Sequence, residues 1–365
     1  MCSDVHLGMN STDEDGFNAL LDRCGGDDKL VLLGDILDFW FDLSNEQERL
    51  NYIISYWEKL FKKLGALKKE RPDIEIHYIP GNHDSFVFLL ETGQAFPWAT
   101  TVLKRYPALD RVREATRKYP LATVANIHYS FFKLNMENTR VLLTHGHADH
   151  WLWQLISGYP EPRPYLWAFL TSLTTAYAHK YAYALRRVAK IGENGFVLGW
   201  RVQDIGFKIT NSLLNAYYQA GLRIEDDPDH FADRLEVAFR IYCQIAGEVT
   251  WADEIHLYHG LQEIDQFMQD ASLVETRDKT RAYLKRDCGS CNYTVRYNEP
   301  GELVQIEHED FSNFEQFDKF VCGHFHKARG EEKDDCYDAG CFLYWGSTST
   351  FLQINPDGNI FFPIS

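Results

Sequence analysis

Four short apolar runs stand out from the longer amphipathic stretches of this chain. Each is rich in Val, Ile, Leu and Phe, ends at or near a Gly or a Thr, and is followed by polar side chains. The runs are Leu30 to Leu33, Ile74 to Ile79, Val141 to Leu143 and Phe320 to Cys322. A short apolar run bounded by turn residues is typical of a buried strand. The pattern therefore predicts a sheet whose strand ends display polar groups at one edge.

The remaining periodicity predicts a helix and a terminal hairpin. Apolar side chains share one helical face at Leu50, Ile53, Ile54, Trp57, Leu60, Phe61 and Leu64. This spacing predicts an amphipathic helix, which we expect to end at Gly65. Strand, helix and strand over residues 30–79 predict a βαβ crossover. Near the C-terminus, Phe351 to Ile354 and Ile360 to Phe362 predict antiparallel strands joined at Asp357-Gly358.

Residues 151–290 lack this pattern of short apolar runs, and their apolar residues have helix-like spacing. We therefore expect a core made of residues 1–150 and 291–365, with a mainly helical insertion between them. The insertion begins just after His145. It is therefore placed to cover the edge of the sheet where the polar groups lie, and to select a ligand there. It is rich in aromatic and basic residues, which are consistent with ordinary packing or with peripheral membrane contact. Arg163 and Arg187 are candidate contacts for a substrate phosphate.

Five short blocks of polar residues contain most of the candidate metal-binding and catalytic side chains. They are Asp4-Val5-His6, Gly34-Asp35-Ile36-Leu37-Asp38, Gly81-Asn82-His83-Asp84, His145-Gly146-His147 and Gly323-His324-Phe325-His326. Imidazole and carboxylate ligands without Cys suit Mn, Fe, Zn, Co or Ni. Ligands at i and i+2 on an extended backbone point to the same side, and Gly323 permits a close bend around an ion. Seven candidate ligands suit two ions about 3.5–4 Å apart, with the Asp35 carboxylate as the natural bridge.

These blocks, in this order, resemble the calcineurin-like metallophosphoesterase superfamily. Its pattern is D-x-H, G-D-x-x-D, G-N-H-[DE], an isolated H and G-H-x-H. The resemblance implies an α/β (α+β) fold, a four-layer β-sandwich flanked by helices. It also implies two divalent ions, of which Mn is the first expectation. One ion would be held by Asp4, His6, Asp35 and His326, and the second by Asp35, Asn82, His145 and His324.

The same resemblance implies roles for the remaining polar residues of the blocks. His83 matches the catalytic histidine of the family, and Asp38 matches the carboxylate that orients it. His147 is either a phosphate contact or a packing residue, and Asp84 is expected to cap the turn after His83. Only three residues precede Asp4, so we expect the first strand of the family's sheet to be shortened here.

The expected reaction is hydrolysis of a phosphate monoester or diester. A hydroxide that bridges two metal ions would attack phosphorus, because metal binding lowers the pKa of water towards about 7. His83 would protonate the leaving oxygen. Asp4 to Gly8 and Asp38 to Trp40 also resemble UDP-diacylglucosamine pyrophosphohydrolases, a branch that usually carries Arg at the position of His83. A lipid-linked or nucleotide diphosphate is therefore the alternative substrate, and a protein-binding scaffold is the non-enzyme alternative.

Composition narrows the choice of partners. The 365 residues carry a formal net charge of −16, which argues against nucleic acid as a partner because nucleic-acid affinity normally rests on clustered Lys and Arg. Eight thinly spread cysteines, no visible signal peptide and no long apolar span favour a cytoplasmic enzyme. Cys288, Cys291, Cys336 and Cys341 are either free thiols or the ligands of a structural zinc.

Overall fold

The fold described below comes from a computed structural model of the chain. It describes residues 1–8, 12–37, 46–81, 84, 87, 91, 110–128, 131–146, 272–286, 292–299, 302–309, 317–325, 328–342 and 349–362. The helices in these ranges are α1 (Glu14–Arg23), α2 (Glu46–Glu70), α3 (Asp110–Lys118) and α4 (Leu273–Arg286). Short 3₁₀ turns lie at Leu121–Thr123 and Glu332–Asp334.

Twelve strands are described, and ten of them form two five-stranded sheets. The strands are β1 (Lys29–Leu32), β2 (Glu75–Tyr78), β3 (Asn126–His128), β4 (Phe131–Asn135), β5 (Arg140–Thr144), β6 (Asn292–Glu299), β7 (Glu302–Glu309), β8 (Lys319–Cys322), β9 (Arg329–Glu331), β10 (Cys336–Asp338), β11 (Gln353–Ile354) and β12 (Ile360–Phe361). The first sheet has the order β1-β2-β3-β6-β7, and the second has the order β4-β5-β8-β10-β9. All four predicted apolar runs are strands.

The predicted crossover is confirmed, but its helix is longer than expected. β1 and β2 pair in parallel, with α2 between them in the sequence. The helix does not end at Gly65 and continues to Glu70. Leu67 is buried one turn after Leu64, so the apolar face extends past the glycine and packing outweighs the small propensity cost of Gly. A Cβ at Gly65 would meet only Val124 Cγ1, at 3.8 Å.

The two large sheets share one hydrophobic core. Its buried side chains come from both sheets: Val31, Leu33, Ile79, Val141, Leu143, Val321, Tyr337, Ala339 and Leu352. Side chains alternate along a strand, so each sheet turns one apolar face toward the other. The predicted C-terminal hairpin is also present as β11 and β12, with Gly358 at φ +82° in its turn. The chain thus has an α/β fold, while the four-layer arrangement stays a prediction.

Residues 1–8 lie beside the first sheet. Isolated parallel bridges join Cys2 to Leu32 and Leu7 to Leu37. The Cys2 N–H donates to the Val31 carbonyl at 3.0 Å, and the Leu33 N–H donates to the Cys2 carbonyl at 2.7 Å. The expected short first strand is therefore reduced to two isolated bridges, which lie on either side of Asp4 in the sequence.

Most of the predicted insertion lies outside the described residues, but its last helix is described. α4 contacts β10, and the backbone N–H of Leu273 donates to Glu331 at 3.0 Å. Arg277 donates to the Asp334 carbonyl, also at 3.0 Å. The end of the insertion therefore packs against the second sheet. In the parts of the chain described here, no helix is long and apolar enough to cross a membrane.

Candidate metal centre

Candidate ligands from four polar blocks meet at one edge of the two sheets. β1 and β2 are parallel in the first sheet, and β5 and β8 are parallel in the second. The residues after parallel strands emerge at a common edge, as do Asp35, His145 and His324 here. Two groups of side chains each have donor atoms within 4.8 Å of one another. One group is Asp4, His6 and Asp35, and the other is Asp35, His145 and His324.

Asp35 belongs to both groups and lies between them. Its Oδ2 is 3.1 Å from His145 Nε2 and 4.0 Å from His6 Nε2. His6 Nε2 is in turn 3.8 Å from Asp4 Oδ1. The rings of His145 and His324 approach edge to face, with centroids 5.2 Å apart. A carboxylate with neighbours on two sides can serve two cations at once.

The backbone at these residues is not extended, which corrects the expectation that i and i+2 spacing on a strand aligns the ligands. Four candidate ligands have positive φ angles: Asp4 at 51°, His6 at 51°, Asp35 at 52° and His324 at 77°. Only Asp335 joins them among the described non-glycine residues. Such left-handed backbone costs about 1–3 kcal/mol per residue and tends to cluster at functional sites. Local strain, not a regular strand, brings these side chains together.

Hydrogen bonds fix the orientation of two of the candidate ligands. Asp4 Oδ2 accepts the backbone N–H of His324 at 2.8 Å and also contacts the Ser3 hydroxyl. His145 Nδ1 lies 2.9 Å from the Leu33 carbonyl oxygen, so Nδ1 carries the proton that it donates there. A backbone carbonyl that fixes the tautomer of a histidine leaves its other nitrogen available to a metal. The Nε2 of His145 faces Asp35.

Glycines allow the loops of the centre to approach closely. A Cβ at Gly81 would lie 2.7 Å from His145 Cδ2 and 2.8 Å from the Asp35 nitrogen. A Cβ at Gly323 would lie 2.7 Å from Asp4 Oδ2 and would overlap Ser3 Oγ. The backbone at both glycines therefore packs too closely for a Cβ, and a side chain at either one would displace a candidate ligand. The bend around an ion expected at Gly323 stays a prediction.

The electrostatics of the centre suit divalent cations. Asp4 and Asp35 are both buried, and buried carboxylates need a compensating positive charge. Burial opposes a charge on His145, but Asp35 and Asp4 outweigh it and raise its pKa to about 9. The carboxylates therefore favour positive charge at this position. Carboxylates and imidazoles together are a donor set for Mn, Fe or Zn.

Asp84 has a larger structural role than the predicted turn cap. Its carboxylate accepts the N–H of Gly81 at 2.6 Å, Ile36 at 2.7 Å and Leu37 at 3.3 Å, and the Tyr78 hydroxyl donates to it as well. Burial and the charge of Asp35 raise its pKa to about 6. The pattern G-N-H-[DE] includes Asp84, but its bond to Ile36 was not predictable because the two residues lie 48 positions apart in the sequence.

Several predicted residues fall outside the described part of the chain. These are Asp38, Asn82, His83, His147, Arg163, Arg187, Cys288, Cys291 and His326. Cys336 and Cys341 are described, and both are buried. Cys336 Sγ lies 3.3 Å from the Asp334 carbonyl oxygen, and no metal-ligand cluster among the described residues includes either cysteine. The structural zinc stays a prediction.

Comparison with known proteins gives one match. The family model of calcineurin-like phosphoesterases matches residues 1–198, more than half of the 365 residues. That stretch includes four of the five polar blocks. No curated protein and no solved structure matches the chain.

Proposed function

Since the chain belongs to the calcineurin-like phosphoesterase family, we propose that it hydrolyses a phosphate monoester or diester at a centre of two divalent ions. Family membership indicates metal-dependent phosphoester hydrolysis in general. The number of ions, the ester class and the acid catalyst belong to the proposal. The observation that carries it is the position of Asp35, which is shared by two groups of candidate ligands.

The residues of the centre have distinct proposed roles. Asp35 would be shared by the two ions, Asp4 and His6 would hold one of them with His326, and His145 and His324 would hold the other with Asn82. When bound, the ions supply an activated water and neutralise the negative oxygens of the phosphate. Asp4 and His145 are already oriented by hydrogen bonds, which reduces the reorganisation needed when ions bind.

His83 is the proposed general acid, and Asp38 is proposed to orient it. His83 follows the ligand Asn82 directly, so its distance from the ions is limited by the chain. Its proton would pass to the leaving oxygen as the bond to phosphorus breaks. An alkyl leaving group needs this proton more than an activated aryl group does, because an alkoxide is the stronger base.

A metal-supplemented screen tests the proposal, with Mn²⁺ first and with aryl monoesters, aryl diesters, nucleotides and a lipid diphosphate as substrates. The wild-type protein should turn over at least one monoester or diester. His83→Ala should retain the metals and lose about 100- to 10,000-fold on an alkyl ester, with a smaller loss on an aryl phosphate. His77→Gln, which changes a buried histidine outside the metal centre, is the control and should retain activity.

The outcomes separate the candidate functions. Equal losses on alkyl and aryl substrates would contradict the role of His83 as an acid. Turnover of the lipid diphosphate alone would favour the pyrophosphohydrolase, which the Asp4 to Gly8 and Asp38 to Trp40 runs resemble. Two bound ions without turnover of any ester would favour a binding scaffold.

A further inference from the structure

Asp84 joins the two loops that carry Asp35 and Asn82. Asp84 Oδ2 accepts the backbone N–H groups of Ile36 and Leu37, the two residues that follow Asp35. Asp84 Oδ1 accepts the N–H of Gly81, the residue before Asn82. One buried carboxylate therefore connects the turn after β1 to the turn after β2. In each turn, the bonded residues adjoin a candidate metal ligand.

The strain at Asp35 explains why such a connection is needed. Asp35 has φ +52°, and strained backbone persists only where its surroundings hold it. On the side facing residues 1–8, His6 N–H donates to the Asp35 carbonyl and Leu7 N–H to the Ile36 carbonyl, both at 2.8 Å. On the other side, the Asp84 carboxylate accepts hydrogen bonds from the N–H groups of Ile36 and Leu37. The Asp35 loop is thus hydrogen-bonded from two directions.

We propose that Asp84 is a positioning residue that sets the separation of the two metal ions by fixing the loop of Asp35 relative to Gly81, the residue before Asn82 in the sequence. The inference rests on the proposed function, since it concerns the same centre. Asp84 acts through the backbone of the two loops and not through contact with the substrate. A purely structural Asp84 would support folding without influencing the ions.

The chemistry of the side chain makes the carboxylate specific for this role. Both oxygens of Asp84 accept hydrogen bonds, and all four donors are N–H or O–H groups. An amide at this position has only one acceptor oxygen, and its NH₂ group would face a donor. Asp84→Asn therefore releases either the turn after β1 or the turn after β2, with little change in volume.

The chain offers a matched control in Glu91. Glu91 is also buried, and its carboxylate accepts the N–H of Leu121 at 2.8 Å. This bond supports the 3₁₀ turn Leu121–Thr123 and not a loop that carries a candidate ligand. Glu91→Gln makes the same carboxylate-to-amide change, and the amide oxygen can still accept the bond.

The experiment titrates Mn²⁺ into the full chain by calorimetry and records the electron paramagnetic resonance of the loaded protein. We expect the wild type to bind two ions and to show the spin-coupled signal of neighbouring Mn²⁺. Asp84→Asn should weaken binding of at least one ion by about 10- to 100-fold and lose the coupled signal. Glu91→Gln should retain both the wild-type affinity for Mn²⁺ and the spin-coupled signal. Tyr78→Phe, which removes only the hydroxyl donor, should weaken binding by about two- to tenfold.

Three results would overturn the inference. Asp84→Asn could melt at a lower temperature yet keep both affinities and the coupled signal, and Asp84 would then be only structural while the proposed function stands. If Asp84→Asn does not fold, unchanged Mn²⁺ binding by Tyr78→Phe would decide against the inference. A wild type that binds fewer than two ions would contradict the proposed function and the inference together.

Discussion

Two clusters of buried histidines in this protein differ in what surrounds them. In the metal centre, His6, His145 and His324 lie with two buried carboxylates. The second cluster is the histidine pair of His77 and His128. Their rings stack on each other, and Phe132 stacks on His77 and lies tilted against His128. His77 Nδ1 is 3.0 Å from His128 Nε2. The histidine pair has an aromatic ring, a hydroxyl and the exposed carboxylate of Glu75, where the metal centre has two buried carboxylates.

These different surroundings shift the pKa values of the histidines in opposite directions. At His145, the carboxylates outweigh burial and raise the pKa to about 9. At the histidine pair, burial outweighs the exposed Glu75 carboxylate and lowers the pKa of His77 to about 4, and burial also lowers the pKa of His128 well below its usual value. In these two clusters, the imidazole beside buried carboxylates favours a positive charge, whereas the imidazole beside one exposed carboxylate stays neutral. The metal centre can therefore hold cations, whereas the histidine pair packs as two neutral rings.

The histidine pair has a consistent set of tautomers. Glu75 Oε2 lies 3.4 Å from His77 Nε2 and, as a carboxylate, requires a donor there. His77 Nδ1 then accepts from His128 Nε2–H, and His128 Nδ1 accepts from the Thr294 hydroxyl at 3.0 Å. Both rings are satisfied while neutral. The pair therefore stabilises the junction of β2, β3 and β6 without any ion.

Removing the shared carboxylate of the metal centre should have the largest effect. Asp35→Asn leaves no bridge between the two groups of ligands, so turnover should fall by about 1,000-fold or more, because the ions supply several kcal/mol of transition-state stabilisation. Steady-state kinetics with Mn²⁺ and an aryl phosphate measures the change. His77→Gln should retain the wild-type rate. A comparable loss of turnover in both variants would contradict the claim that only the metal centre takes part in catalysis.

Acid should destabilise the fold through the histidine pair. The pKa of His77 is about 4 in the folded protein and 6.5 in a free histidine, so between these values the unfolded chain binds more protons. The free energy of unfolding should fall as the pH drops from 6.5 to 4, by roughly 3 kcal/mol from this group. Glu75, Lys29 and Lys68 are the charged groups that act on it.

Urea unfolding with chelator at several pH values measures this effect. His77→Gln cannot titrate, so its unfolding free energy should change less with pH across the same range. Parallel curves for the variant and the wild type would show that the histidine pair does not carry the acid sensitivity.

Metal ions should stabilise the protein through the metal centre alone. An ion at 100 times its Kd adds about 2.7 kcal/mol to the free energy of unfolding at one site. Mn²⁺ should therefore raise the melting temperature of the wild type and of His77→Gln, and chelator should reverse the rise. Asp35→Asn should respond much less, as differential scanning calorimetry would show. An equal response in Asp35→Asn would place the stabilising ions elsewhere.

The smallest effect is expected where the histidine pair loses one donor. Thr294→Val removes the hydroxyl that donates to His128 Nδ1, and a single hydrogen bond contributes about 1 kcal/mol. The free energy of unfolding should fall by that amount, while Mn²⁺ affinity stays unchanged. Weaker Mn²⁺ binding would show that the two clusters are energetically coupled.

Local patterns predicted much of the fold. The four apolar runs are strands, the crossover is parallel, and the hairpin turns at Gly358, because strand periodicity and turn residues act over a few positions. The end of α2 was predicted wrongly at Gly65 because Leu67 extends the buried face beyond it. Propensity at one residue is a weak signal against burial.

Contacts between distant residues could not be read from the sequence. The sequence identified Asp35, His145 and His324 as candidate ligands, but it gave no sign of the left-handed backbone that brings them together. The connection from Asp84 to Ile36 spans 48 residues, and that from His77 to His128 spans 51. No motif in the sequence records the contacts of these two pairs.

The most direct test of the central claim is anomalous diffraction from crystals of the full chain grown with Mn²⁺. We expect two anomalous peaks about 3.5–4 Å apart, with the Asp35 carboxylate between them and no peak at the histidine pair. A single peak, or a peak beside His77 and His128, would contradict the account of both clusters.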